Sequence, residues 1–148
     1  MSEKTGVYPC YENQFQINTA ASGITAAYKS IADCETFSGS FDNGVEEWTP
    51  FETEGWTRRL MTAKSVTVSV TAKRNVGDEG NDKISGFTFA NGRDAEGDFK
   101  WTFPDGSSVE FKGAIISVTN NGSGDSTGVA PLEFEVMSNG KPTYTPAA

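Results

Sequence analysis

The sequence predicts a mainly β protein: an antiparallel β-sandwich or barrel with one short α-helix, a long inter-strand loop and flexible terminal arms. Three observations predict it. Val66, Val68, Val70 and Ala72 alternate with Thr67, Ser69, Thr71 and Lys73, so one face is apolar and the other hydroxylated, as in a half-solvated antiparallel strand. Phe99, Trp101 and Phe103 alternate before the turn Pro104-Asp105-Gly106, and Val109, Phe111 and Gly113 alternate after it, which reads as a hairpin. Glycine supplies 16 of 148 residues and hydrophobic residues only 36%, a loop-rich and β-leaning composition. The length is that of one domain with a core that needs no staples.

In chain order, residues 1–30 are polar and read as an N-terminal arm leading into a first-strand region. The sandwich domain is expected over 31–138 and a C-terminal tail over 139–148. Phe37, Gly39 and Phe41 recur at period two, a strand signal within 31–41. Residues 42–57 have no period and carry Asn43-Gly44, Pro50 and Gly55, so they read as a long loop, which in a compact domain is often functional. The strand 66–72 follows. Ile84 and Phe87, three apart, predict a short helix over 81–90 capped by Asn81 or Asp82, although Gly86 weakens it. The run Ile115-Ile116-Ser117-Val118 shifts the alternation by one residue and predicts a bulge. Leu132, Phe134 and Val136 alternate with Glu133 and Glu135 as a last strand, and Pro142 and Pro146 mark an extended tail.

Several functions are disfavoured by composition. Twelve bases against 20 acids give a net charge of −8, which argues against binding a polyanion through counterion release. With no histidine there is no imidazole base or ligand. Cys10 and Cys34 are too few for a disulfide framework or a four-thiolate zinc site, and read as small buried hydrophobes with reduced thiols. No secretory signal or membrane-spanning run is visible, so a cytoplasmic origin is expected. No cofactor, metal or catalytic residue is expected. Glu46-Glu47 and Glu52/Glu54 could form a hydrolytic carboxylate pair, but neighbours on a loop are more often solvated. Asp78, Glu79, Asn81 and Asp82 resemble half a calcium loop without its spacing, and read better as acids at a helix start.

Trp101 belongs to the core by its alternation. Trp48 and Trp56 lie in the irregular segment, where they either anchor an interface, stack on a sugar, or tuck back onto the domain. Charge is segregated along the chain. Residues 33–54 hold seven acids and no base (Asp33, Glu35, Asp42, Glu46, Glu47, Glu52, Glu54); residues 58–74 hold five bases and no acid (Arg58, Arg59, Lys64, Lys73, Arg74). Either adjacent strands neutralise one another, or separate acidic and basic surfaces let copies meet head-to-tail, a contact that closes into rings or runs on as filaments.

Residues 41–50 (Phe-Asp-Asn-Gly-Val-Glu-Glu-Trp-Thr-Pro) and 54–60 (Glu-Gly-Trp-Thr-Arg-Arg-Leu) resemble the loop segment of tail tube (major tail) proteins of long-tailed bacteriophages. Gly77-Asp78-Glu79-Gly80-Asn81-Asp82 is similar to the turn before that family's helix, and Phe103–Ser107, Pro131–Val136 and Gly140-Lys141-Pro142 to its late strands and exit. The resemblance spans about residues 33–146. It implies a virion structural protein that self-assembles in the host cytoplasm into stacked hexameric rings, the hollow tail tube through which DNA is ejected. Implied partners are other copies, a tape measure protein and tail terminator or tip proteins. Genomic DNA would pass without specific binding, and no membrane would be involved. The ring-stacking loop of the family maps here to Asp42, Asn43, Glu46, Glu47, Trp48, Phe51, Glu52, Glu54 and Trp56, with Arg58, Arg59, Lys64, Lys73 and Arg74 as a complementary basic surface. Alternatives are the inner tube of a contractile injection system and a carbohydrate-binding β-sandwich module.

Overall fold

The computed structural model describes residues 5–20 and 24–147. Residues 1–4 and 21–23 of the expected N-terminal arm, and residue 148 of the tail, lie outside the described residues. The strands are β1 (Gln14–Asn18), β2 (Tyr28–Ser30), β3 (Cys34–Trp48), β4 (Arg58–Lys73), β5 (Glu96–Thr102), β6 (Ser108–Asn120), β7 (Pro131–Met137) and β8 (Thr143–Thr145). One α-helix, α1, spans Glu79–Ser85. All pairings are antiparallel, in the order β2-β1-β5-β6-β7-β4-β3, and β8 pairs with the half of β6 that β7 leaves free. The expected mainly β antiparallel architecture with one helix is what forms.

The sheet curls so that edge strand β3 packs by side chains over β1 and β5 without closing on itself, which makes it sandwich-like. Phe37 on the edge strand β3 packs on Phe15 of β1 and Trp101 of β5, with ring centroids 5.1 and 5.6 Å away. Gly39 permits the approach: a Cβ there would stand 3.1 Å from the Trp101 ring. The inward face carries Ile17, Val68, Val70, Phe99, Phe111, Ile116, Leu132, Phe134 and Val136, all essentially buried. The alternations at 66–72, 99–103 and 132–136 therefore face the core. The change of phase expected at 115–118 arises earlier. Phe99 opposes Phe111 while Gly97 opposes Ala114, so the extra residue lies at Lys112-Gly113, where Gly113 has φ +62°.

The helix is shorter than expected over 81–90. Asp78, not Asn81 or Asp82, is its N-cap, accepting from the Asn81 N–H at 3.0 Å, and the chain turns away after Ser85. Asp78 also accepts from Ala32 N–H, and Asp82 binds Arg74 at 2.8 Å. These acids thus tie α1 to neighbouring chain. Hydrogen bonding from Arg74 holds the Asp82 carboxyl below its ordinary 3.8. Asn81 is fully buried and joins three segments: its amide donates to the carbonyls of Ala32 and Lys73, and its oxygen accepts from Asn75 N–H and Arg74.

Candidate functional site: a projecting two-stranded arm

The segment 42–57, expected as a long loop, is strand over 42–48 and irregular only from 49 to 57. β3 and β4 pair from Cys34↔Ala72 out to Trp48↔Arg58, and only residues 49–57 are irregular. β4 pairs with β7 only over Thr67–Lys73. Beyond Val66 the β3–β4 ribbon therefore leaves the body with no third strand. Asp42–Trp48 spans seven residues, so the ribbon reaches roughly 23 Å at about 3.3 Å per residue. Every residue of β4 from Arg58 to Ser65 is exposed.

Pairing across the ribbon sets the faces. Val45 opposes Met61 and Glu47 opposes Arg59; Glu46 opposes Leu60 and Trp48 opposes Arg58. A bulge between Gly44 and Val45 leaves Thr62 of β4 unpaired. The tip is a 3-10 turn, Phe51–Thr53, closed by Glu54 (φ +52°) and Gly55 (φ +94°). The Thr53 hydroxyl lies 3.0 and 2.7 Å from the carbonyls of Pro50 and Trp56, and its single O–H, shared between them, ties the tip together.

The arm is apolar for something so solvated. Phe41, Val45, Trp48, Leu60 and Met61 along its strands are each 43–59% exposed. At the tip Trp56 is 78% exposed and Phe51 wholly so. Trp101 is buried as expected, whereas Trp48 and Trp56 do not tuck into the core. A two-stranded ribbon is marginal by itself in water, and contiguous exposed apolar surface marks an interaction site.

The basic residues find partners within the chain. Arg59 meets Glu47 and Lys73 meets Glu35, both at 3.3 Å; Arg74 meets Asp82; Lys64 donates to Asn43 at 2.8 Å; Arg58 lies 5.9 Å from the Trp48 ring centroid. The acidic strand thus lies beside the basic one and much of their charge is met locally. Among the described residues Asp42, Glu46, Glu52 and Glu54 make no ion pair, so the outer arm stays acidic at its tip. Glu46 and Glu47 are successive strand residues with different cross-strand partners, so their carboxylates point to opposite faces and do not converge on a bond.

One of the two cysteines differs from expectation. Cys10 is exposed at the start of a surface 3-10 turn, Cys10–Glu12, rather than buried. Cys34 is partly buried and packs on the core, and its thiol donates to the Ile31 carbonyl. Burial pushes that thiol up to about 12. Phe41, Val45, Leu60 and Met61 lie on the arm but outside the site residues the sequence predicts. The available signal was the charge pattern itself: an acidic run and a basic run mirrored about a Pro/Gly turn is what a hairpin with cross-strand pairs requires.

No protein-family model matches the sequence, and no curated protein matches it. Solved structures do. A chain in the tail of an empty gene transfer agent particle, determined with C6 symmetry, is similar at TM-score 0.71 and 18% identity, over 95% of this chain and 100% of that one. A chain in the sheath/tube terminator structure of an extracellular contractile injection system is similar at TM-score 0.67 and 12% identity, over 96% and 99%. A chain in the tube-terminating cap of the anti-feeding prophage is similar at 0.61 and 13%, over 99% and 97%. Across nearly its whole length, this chain has a fold found in the tail and tube assemblies of phage-like particles.

Proposed function

We propose that this chain is a tail tube subunit: a structural protein of a virion tail that self-assembles into stacked hexameric rings, with the projecting arm reaching the next ring. The single observation that carries the reading is the arm, an apolar ribbon whose outer half no third strand covers among the described residues. Phe51 and Trp56 would bury roughly 150–250 Å² each. At about 25 cal/mol per Å² that is about 8–12 kcal/mol gross, comparable with the roughly 4–15 kcal/mol cost of association. One arm contact alone therefore barely holds, and assembly depends on concentration and on many contacts forming together. Similarity to chains of a six-fold tail supports the hexameric ring. The role is non-enzymatic, assembly takes place in the host cytoplasm, and the bore passes DNA. A net charge of −8 per subunit suits a conduit in which the duplex must not stick. A tape measure protein within and terminator and tip proteins at the ends complete the partners.

The similarity to contractile injection chains favours a second reading with the same architecture, the inner tube of a contractile particle. Both predict tubes of uniform width in electron micrographs of the purified protein, with six-fold end views. Monomers alone at every concentration would reject both.

A further inference from the structure

We propose that the acidic tip of one copy's arm seats in the apolar groove at the root of another copy's arm. This rests on the tube-subunit reading and names the surface the arm docks on. The groove, about 820 Å³, lies between the root of the arm, the β5–β6 hairpin and the C-terminal segment, and is lined by Phe41, Met61, Trp101, Phe103, Val109 and Tyr144. Lys64 and Lys141 stand in the same lining, and no carboxylate does.

The tip has the matching chemistry. Phe51 and Trp56 are exposed aromatic anchors, and Glu52 and Glu54 flank them without an ion pair among the described residues. A copy cannot fill its own groove, because the ladder from Phe41↔Val66 to Trp48↔Arg58, bulged once at Thr62, holds the tip away from the root. A second apolar cleft, about 530 Å³ beside Phe15, Ile31 and Phe37, is lined by Asp33 and Glu35 with no lysine or arginine. An acidic tip is repelled there and attracted to the lysine-bearing groove. Tip and groove lie at opposite ends of one ribbon, so the contact is heterologous and each copy offers one of each, which lets the contact repeat from copy to copy.

The test is a charge exchange in the full chain. Glu52→Lys with Glu54→Lys, and separately Lys64→Glu with Lys141→Glu, should each raise the concentration needed for tube formation by about tenfold or more. Combining all four changes should bring it back to within about threefold of the original. Tubes from the unaltered chain with no recovery in the fourfold variant overturn this docking and leave the tube reading standing. An unaltered chain that never assembles overturns the tube reading and the docking with it. If a charge variant fails to fold, a photo-crosslinking residue at Phe51 decides the matter. Adducts in tubes should map to residues 61–66, 101–111 or 138–144 of another copy, and adducts confined elsewhere overturn the docking.

Discussion

Asn81 bridges three pieces of chain through one buried amide, and its replacement is correspondingly expensive. Asn81→Ala leaves the carbonyls of Ala32 and Lys73 and the Asn75 N–H short of partners. It should cost about 3 kcal/mol in urea unfolding. Gly80 is constrained as tightly: a Cβ there would lie 2.2 Å from the Ser30 carbonyl oxygen, so Gly80→Ala must push α1 off the sheet. That change should lower the melting temperature by several degrees, on the order of 2–3 kcal/mol. The two cysteines should separate chemically. Cys10 should react with iodoacetamide in the folded protein, and Cys34 only on unfolding, which peptide mass spectrometry reads directly. The raised Cys34 value sets a sign for alkaline stability. Its contribution is complete below the ordinary 9.0 and is lost as pH rises from there through about 12, because the unfolded thiol ionises first. Cys34→Ala should therefore flatten the alkaline limb of the stability profile; an unchanged limb would refute the assignment.

Among the elements, what was legible in the sequence is what has a dry side. β4 from Val66 to Ala72, β5 and β7 each bury alternate residues, and the period-two pattern records it. The outer halves of β3 and β4 bury nothing, so no alternation was imposed on Asp42–Trp48 or Arg58–Ser65, and the bulge at Thr62 breaks whatever phase remained. β1 was hidden for another reason: it is only five residues long, with two buried positions, inside a polar stretch. The helix was legible through Ile84 and misplaced because its cap, Asp78, precedes two residues that sequence alone gives no cause to bury. An exposed ribbon makes its own prediction. Trypsin should cut the free subunit first after Arg58 or Arg59, and should spare those bonds in tubes. Replacing residues 46–60 by Asn-Gly joins the cross-strand pair Val45↔Met61 through a two-residue turn. The shortened subunit should keep its unfolding free energy to within about 0.5 kcal/mol and form no tubes by electron microscopy.

For the molecule as a whole, the division is between a packed body and an open limb. No residue of the limb, 42–48 or 58–65, belongs to the buried core. Phe51→Ser with Trp56→Ser should thus leave folding intact and prevent assembly, as light scattering across a concentration series can record. The strand that carries the limb is also structural in the body: β4 runs unbroken for 16 residues, with its inner half clamped between β3 and β7. Tension applied at the tip is therefore delivered along the axis of an interior strand. The rungs of that ladder lie across the pull and must fail together rather than one at a time. A filament joined through such limbs would resist stretching with the full strength of its subunits' sheets.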